Sequence, residues 1–135
     1  MNNKMNWFYF SVLIALLPVS CRLIIWIVLD NSIRIDAFSL VDLVAFGIVL
    51  HATSLNEINN IPVRKFTAEI RDWKSRNVNT ATFFLVLYGL FISLGIMTEV
   101  KTVKMNEYIL LYSTFALGLV SLILSYRIYQ KTATI

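Results

Sequence analysis

Three side chains that can carry charge interrupt long apolar stretches of this sequence, and each could do chemistry there. Arg22 and Asp42 lie inside the first two stretches, and His51 is the sole histidine of the chain. A charge inside a bilayer is costly unless it is paired, and histidine exchanges a proton near neutral pH. We therefore consider these three residues for ion pairing, for proton handling and for lining a water-filled path.

Arg22 and Asp42 are spaced to form an intramembrane ion pair. The first apolar stretch is predicted to end as a membrane span at Leu29, and the second is predicted to begin at Ala37. Arg22 lies seven residues before Leu29, and Asp42 lies five residues after Ala37. At 1.5 Å per residue, both charges lie roughly 8–11 Å below the same membrane boundary. A helical hairpin would therefore bring them to one level. The pair either only sets the register of the hairpin, or lines a path or senses a change at the outer leaflet. Alternatively, Arg22 reaches the headgroups alone.

His51 is nine residues from Asp42, which places the two side chains on roughly opposite faces of a helix. They are therefore not expected to form one proton relay within that helix. His51 shares its face with Gly47 and Ser54. We expect a packed histidine with a hydrogen bond, and the alternative is a pH-responsive or proton-handling role.

The sequence has no motif typical of hydrolases, metalloproteases or phosphate-binding loops. With one cysteine and one histidine, neither an intrachain disulfide nor a zinc site of the usual type is expected. We predict that the chain is not an enzyme, that it holds no metal and no cofactor, and that it does not bind nucleic acid directly.

Four apolar stretches must hold these residues in place. Of the 135 residues 58% are hydrophobic and 15% are charged, whereas about a quarter are charged in soluble domains. A helix needs about 20 apolar residues to cross a bilayer. The predicted spans cover about residues 7–29, 37–55, 82–97 and 108–126. The predicted fold class is all-α: residues 1–135 form one integral membrane four-helix bundle, with a short amphipathic cytoplasmic helix at about 61–76.

The basic residues predict the orientation of the chain. Of the 12 lysines and arginines, eight lie on the side of the N-terminus, three lie on the other side and Arg22 lies within a span. Lysine and arginine are enriched in cytoplasmic loops. We therefore predict a multi-pass protein of the inner (plasma) membrane with both termini in the cytoplasm.

Two sets of small residues predict where helices pack. They are Thr114, Gly118, Ser121 and Ser125 in span four, and Gly89 and Ser93 in span three. Small residues allow close approach of helices in lipid. We expect these sets to pack spans three and four together or to pack protomers. The alternative is a pore lined by hydroxyl groups. Because so small a bundle has little room for an internal cavity, we also expect a homo-oligomer.

The segment between spans two and three is basic and amphipathic. Its apolar residues recur at helical spacing and are Val63, Phe66, Ile70 and Trp73. Its basic residues fall largely on other faces and are Arg64, Lys65, Arg71 and Lys74. This pattern is typical of a helix that lies on membrane lipids with anionic headgroups. The alternative is docking of a cytoplasmic protein partner, with Phe66 and Trp73 as apolar anchors.

In overall plan the chain resembles the small four-span membrane subunits of bacterial phage-defence systems, such as the membrane component of Kiwa. The resemblance covers the whole chain as architecture, and no individual residue carries over. It implies an oligomeric membrane sensor that works with a separate cytoplasmic effector in antiviral defence.

Two functions are consistent with these residues. In the first, the chain is an oligomeric scaffold or sensor that recruits a cytoplasmic partner. In the second, it forms a small ion channel or transporter, with Arg22, Asp42 and the hydroxyl residues along the path. The basic segment and the lack of catalytic motifs favour the first.

Overall fold

The computed structural model describes residues 8–29, 38–65, 67–100 and 106–135, and these are helical almost throughout. A π-helical segment, Phe8–Leu13, leads into α1 (Ile14–Val28). The other helices are α2 (Leu40–Asn59), α3 (Ala68–Glu99) and α4 (Glu107–Thr134), and a 3-10 turn, Val63–Lys65, precedes α3. These described ranges contain no strand and four helices long and apolar enough to cross a membrane. The predicted all-α class is confirmed.

Polar side chains determine where three of the helices begin. Ser39, Thr67 and Asn106 precede α2, α3 and α4, and each accepts a hydrogen bond from a backbone N–H in the first helical turn. These N–H groups have no acceptor within the helix. The caps therefore set the helix starts.

The segment that leads into α3 differs from the prediction of a separate helix at about 61–76. The structure has a single 3-10 turn at Val63–Lys65, and α3 then runs without a break from Ala68 to Glu99. Its 32 residues make it about 48 Å long, which exceeds the roughly 30 Å hydrocarbon core of a bilayer. The amphipathic segment and the third span thus belong largely to one helix.

The polar residues at the expected break stay helical because they bond to their own helix. Nδ2 of Asn77 donates to the carbonyl of Trp73 at 2.8 Å. The hydroxyls of Thr80 and Thr82 donate to the carbonyls four residues earlier, each at 2.9 Å. Such bonds satisfy side chains that would otherwise compete for the backbone. No glycine or proline lies between residues 68 and 88 to interrupt the helix.

The bundle is organised around α2, which contacts α1, α3 and α4. Ala15, Phe46 and Leu50 form an apolar core between α1 and α2, and Leu122 of α4 packs against it. In contrast, α3 buries only Ala81 and Tyr88 along its described length. It is therefore the least buried helix of the bundle.

Large apolar side chains point outward from the bundle. Ile27, Val86 and Tyr112 are exposed over 71%, 68% and 68% of their surface, respectively. Monomeric soluble proteins rarely present such extended apolar surface to water. The distribution indicates a surface that lipid or another protein covers.

Tyr88 fastens α3 to α2. Its side chain is fully buried, and its ring lies against Gly47 so closely that a Cβ at residue 47 would overlap it. A Cβ at Gly89, the next residue of α3, would meet no atom within 4 Å. Glycine is thus required by packing at residue 47 and not at residue 89.

We expect Gly47→Ala to lower the free energy of unfolding by about 1–3 kcal/mol, because the methyl group displaces Tyr88 from a packed site. Gly89→Ala is the matched control, and we expect it to be neutral or slightly stabilising because alanine favours helix. Both are measured by unfolding in mixed micelles with increasing dodecyl sulfate. Equal stabilities would contradict the close contact.

Candidate functional site

Buried polar side chains form a cluster where α2, α3 and α4 meet. His51 and Ser54 come from α2, Tyr88 comes from α3, and Ser121 and Ser125 come from α4. Each is at most 2% exposed. Buried polar groups are stabilising only when they are hydrogen-bonded, so the connectivity of this cluster decides what it can do.

Ser121 is the centre of the cluster. Its Oγ lies 2.9 Å from Nε2 of His51 and 2.8 Å from the hydroxyl oxygen of Tyr88. One hydroxyl therefore joins side chains of three helices. A second contact lies one turn along: Oγ of Ser54 is 2.9 Å from Oγ of Ser125 and donates to the carbonyl of Leu50.

The imidazole of His51 is surrounded by aromatic and hydroxyl groups. Its ring centroid is 4.9 Å from that of Phe84 and 6.2 Å from that of Tyr88. Its Nδ1 is buried and has no hydrogen-bond partner among the residues that the structure describes. His51 is thus packed with one hydrogen-bonded nitrogen, and its partner is Ser121 rather than Asp42.

A serine hydroxyl beside a histidine nitrogen is also the geometry of a nucleophile and its general base. Here the hydroxyl of Ser121 is 0% exposed and is also bonded to Tyr88. A cavity of about 580 Å³ at one end of the bundle is lined by other side chains. The burial and bonding of Ser121 and His51 therefore favour a role in helix packing over a reaction with a substrate.

The small residues of α4 face α2. Thr114, Ser121 and Ser125 are buried, and a Cβ at Gly118 would lie 3.5 Å from the ring of Phe46 in α2. These residues were predicted to pack spans three and four together or to pack protomers. The small residues of α4 mainly contact α2, because α2 supplies His51 and Ser54 as their polar partners.

The small residues of α3 lie on an exposed surface. Gly89 and Ser93 are both exposed, and the hydroxyl of Ser93 donates to the carbonyl of Gly89 at 2.9 Å. Neither residue fastens α3 to a neighbouring helix among the described residues. This part of α3 remains available to lipid or to another protomer.

Arg22 and Asp42 form an ion pair between α1 and α2, in which Nε of Arg22 donates to Oδ2 of Asp42. The two side chains are 32% and 15% exposed, respectively. The pair joins the last turns of α1 to the first turn of α2. It therefore holds the register of this helical hairpin.

The predicted interface residues lie at the opposite end of the bundle. Arg64, Lys65 and Arg71 are exposed, whereas Ile70, Trp73 and Lys74 are half-buried. Nζ of Lys65 donates to the carbonyl of Ile135. Phe66 lies outside the described residues. We call the polar first part of α3, residues 68–80, the arm.

Sequence reasoning missed Tyr88. It is the sole tyrosine of the third predicted span, and a buried tyrosine hydroxyl needs a partner. Gly47 lies four residues before His51 on the same helical face, which is the space that an aromatic ring could fill. Only the three-dimensional contact reveals that this ring comes from α3.

We expect Ser121→Ala to destabilise the bundle by about 1–2 kcal/mol, because it leaves both His51 and Tyr88 without their hydrogen-bond partner. Ser125→Ala is the matched control on the same helix. It should cost less, because Ser54 keeps its bond to the carbonyl of Leu50. Unfolding in mixed micelles measures both, and an equal loss would argue against Ser121 as the centre.

For the ion pair, we expect Arg22→Asp and Asp42→Arg to destabilise the protein singly, because each places two like charges together. The double exchange restores opposite charges and should recover at least half of the larger single loss. Folded yield and unfolding in micelles are the measurements. A double variant as unstable as the single variants would mean that the pair does not set the hairpin.

Comparison of the chain with protein-family models, with curated proteins and with solved structures finds no match.

Proposed function

We propose that this chain is a non-catalytic scaffold or sensor subunit of a membrane assembly, and that its arm recruits a cytoplasmic protein. The observation that carries the proposal is the continuity of α3. One helix joins a charged, largely exposed arm to an apolar stretch long enough to cross a bilayer. A separate helix on the membrane surface would have no such rigid connection.

The arm has the charge and reach to bind a protein. Its 13 residues extend about 20 Å beyond the apolar part of α3. The arm has three basic and two acidic side chains, a net charge of +1, and Arg64 and Lys65 in the turn before it add two more positive charges. A basic surface attracts an acidic partner and speeds its association. We therefore propose an acidic surface on a soluble protein as the partner, with anionic headgroups as a second contact.

The weak burial of α3 supports a sensing role. Ala81 and Tyr88 are its buried residues within the described part of the chain. A change in bilayer thickness or tension that tilts α3 would therefore have to displace few side chains, chiefly Tyr88 from Gly47. Because α3 is continuous, the same tilt would move the arm. The bundle would thus convert a change in the membrane into a change at the partner-binding surface.

The proposal includes orientation and assembly. The arm lies on the side with more lysines and arginines, so it and both termini face the cytoplasm at the inner membrane. The exposed surface at Gly89 and Ser93 suits contact between copies of the chain. The architectural resemblance extends the proposal to antiviral defence, which plating of phages on cells with and without the gene would test.

A channel or transporter is less well supported by the same contacts. The hydroxyl residues of α4 are buried against α2 within one chain, and Arg22 and Asp42 neutralise each other. A conducting path between copies would need other residues. Ion flux from liposomes that contain the purified chain is the direct test of this alternative.

The partner is identified by affinity purification of the tagged protein from its own cells in mild detergent, followed by native mass spectrometry. We expect an oligomer that carries a soluble protein in fixed ratio. Arg71→Glu with Arg76→Glu, which reverses two charges of the arm, should reduce the co-purified protein at least tenfold.

The matched control is Arg127→Glu with Lys131→Glu, which reverses the same number of charges on α4 at the same end of the bundle. It should retain the partner if the arm is the docking surface. Equal loss in both variants would mean that net charge or orientation, rather than the arm, was disturbed. A bare oligomer with ion flux would replace the scaffold proposal with a channel.

A further inference from the structure

The end of the bundle opposite the arm contains a cleft of about 580 Å³. It lies between Arg22 of α1, the start of α2, the end of α3 and the start of α4. Its polar lining includes Arg22, Ser39, Glu99 and Glu107. The volume is in the range of cavities that hold small molecules or parts of lipids.

The cleft also has an apolar wall. Leu40, Ile92, Ile96 and Leu111 line it. Gly95 makes the wall possible, because a Cβ at residue 95 would overlap the side chain of Leu40. The cleft thus presents charged groups and apolar groups together, as an amphiphile requires.

The charges around the cleft favour a cation. Among the described residues around the cleft, Arg22 contributes one positive charge, whereas Asp42, Glu99 and Glu107 contribute three negative charges. Arg22 is already paired with Asp42, and no ion pair to Glu99 or Glu107 occurs among the described residues. Among the described residues, an ammonium group would therefore find the carboxylates of Glu99 and Glu107 without a cationic partner.

A phosphate would find a donor at the same place. The ion pair uses the Nε–H of Arg22, so the two NH₂ groups of its guanidinium can bind a phosphate. The guanidinium is about one-third exposed. Ammonium, phosphate and acyl chain occur together in one class of membrane molecule.

We propose that this cleft binds a phospholipid with a primary ammonium headgroup, of which phosphatidylethanolamine is the common form. Glu99 and Glu107 bind the ammonium, Arg22 binds the phosphate, and an acyl chain lies along Leu40, Ile92, Ile96 and Leu111. The inference rests on insertion of the chain into a membrane, but it does not need the cytoplasmic partner.

Native mass spectrometry of the purified full chain, titrated with lipids of identical acyl chains, tests the proposal. Phosphatidylethanolamine should bind about tenfold tighter than phosphatidylcholine, whose quaternary ammonium has no N–H to donate. It should also bind about tenfold tighter than phosphatidylglycerol, which has no cationic group. Equal binding of the three lipids would overturn the proposal.

Two variants locate the site. Glu99→Gln with Glu107→Gln should remove the preference for phosphatidylethanolamine. Glu69→Gln with Asp72→Asn neutralises two carboxylates of the arm and should retain the preference. Thermal unfolding without added lipid verifies that both variants are folded. If Glu99→Gln with Glu107→Gln is not folded, the comparison of the three lipids on the unmodified chain still tests the proposal. Retention of the preference in folded Glu99→Gln with Glu107→Gln would overturn the site.

A long-chain alkylamine separates the contribution of the ammonium group from that of the phosphate, because it has an ammonium group and an apolar chain but no phosphate. It should bind more weakly than phosphatidylethanolamine. Equal affinity would overturn the assignment of the phosphate to Arg22. None of these measurements involves a second protein, so a negative result here is independent of whether the arm recruits a partner.

Discussion

The hydrogen bond between Tyr88 and Ser121, made across Gly47, is the contact on which the arrangement of the last three helices depends. It brings a hydroxyl of α3 to a hydroxyl of α4 against the backbone of α2, and His51 bonds to the same oxygen. In a membrane, apolar burial does not drive helices together, because lipid tails are as apolar as leucine. In the membrane proposed for this chain, close packing and polar contacts would therefore specify which helices meet.

This constraint explains the unequal roles of the helices. α2 carries both the glycine that admits Tyr88 and the polar residues that meet Ser121 and Ser125, so it lies at the centre of the bundle. α3 has a single polar side chain directed into that cluster, and only Ala81 and Tyr88 are buried along its described length. A tilt of α3 would have to displace chiefly Tyr88 from this cluster, which is the physical basis of the sensing role proposed for the helix.

The two ends of the bundle differ in charge and shape. At one end the arm continues α3 past its apolar part and presents a net positive surface. At the other end the Arg22–Asp42 pair joins α1 to α2, and the described residues around the cleft beside it include more acidic than basic side chains. A lipid in this cleft would contact all four helices, including the end of α3. Lipid binding at one end and protein binding at the other would then act on the same helix.

Apolar stretches by themselves determined the all-α class and the four helices long and apolar enough to cross a membrane, since the length and composition of each stretch depend on no distant contact. The symmetric spacing of Arg22 and Asp42 about a short turn likewise predicted a pair that the structure brings together. Tertiary structure alone decided that α4 packs its small residues on α2 and that Tyr88 completes the cluster of His51, because residues far apart in sequence can be matched only in space. It also joined the arm to the third apolar stretch: Asn77, Thr80 and Thr82, which lie between or beside the predicted helix and span, bond to carbonyls of their own helix, which continues through them.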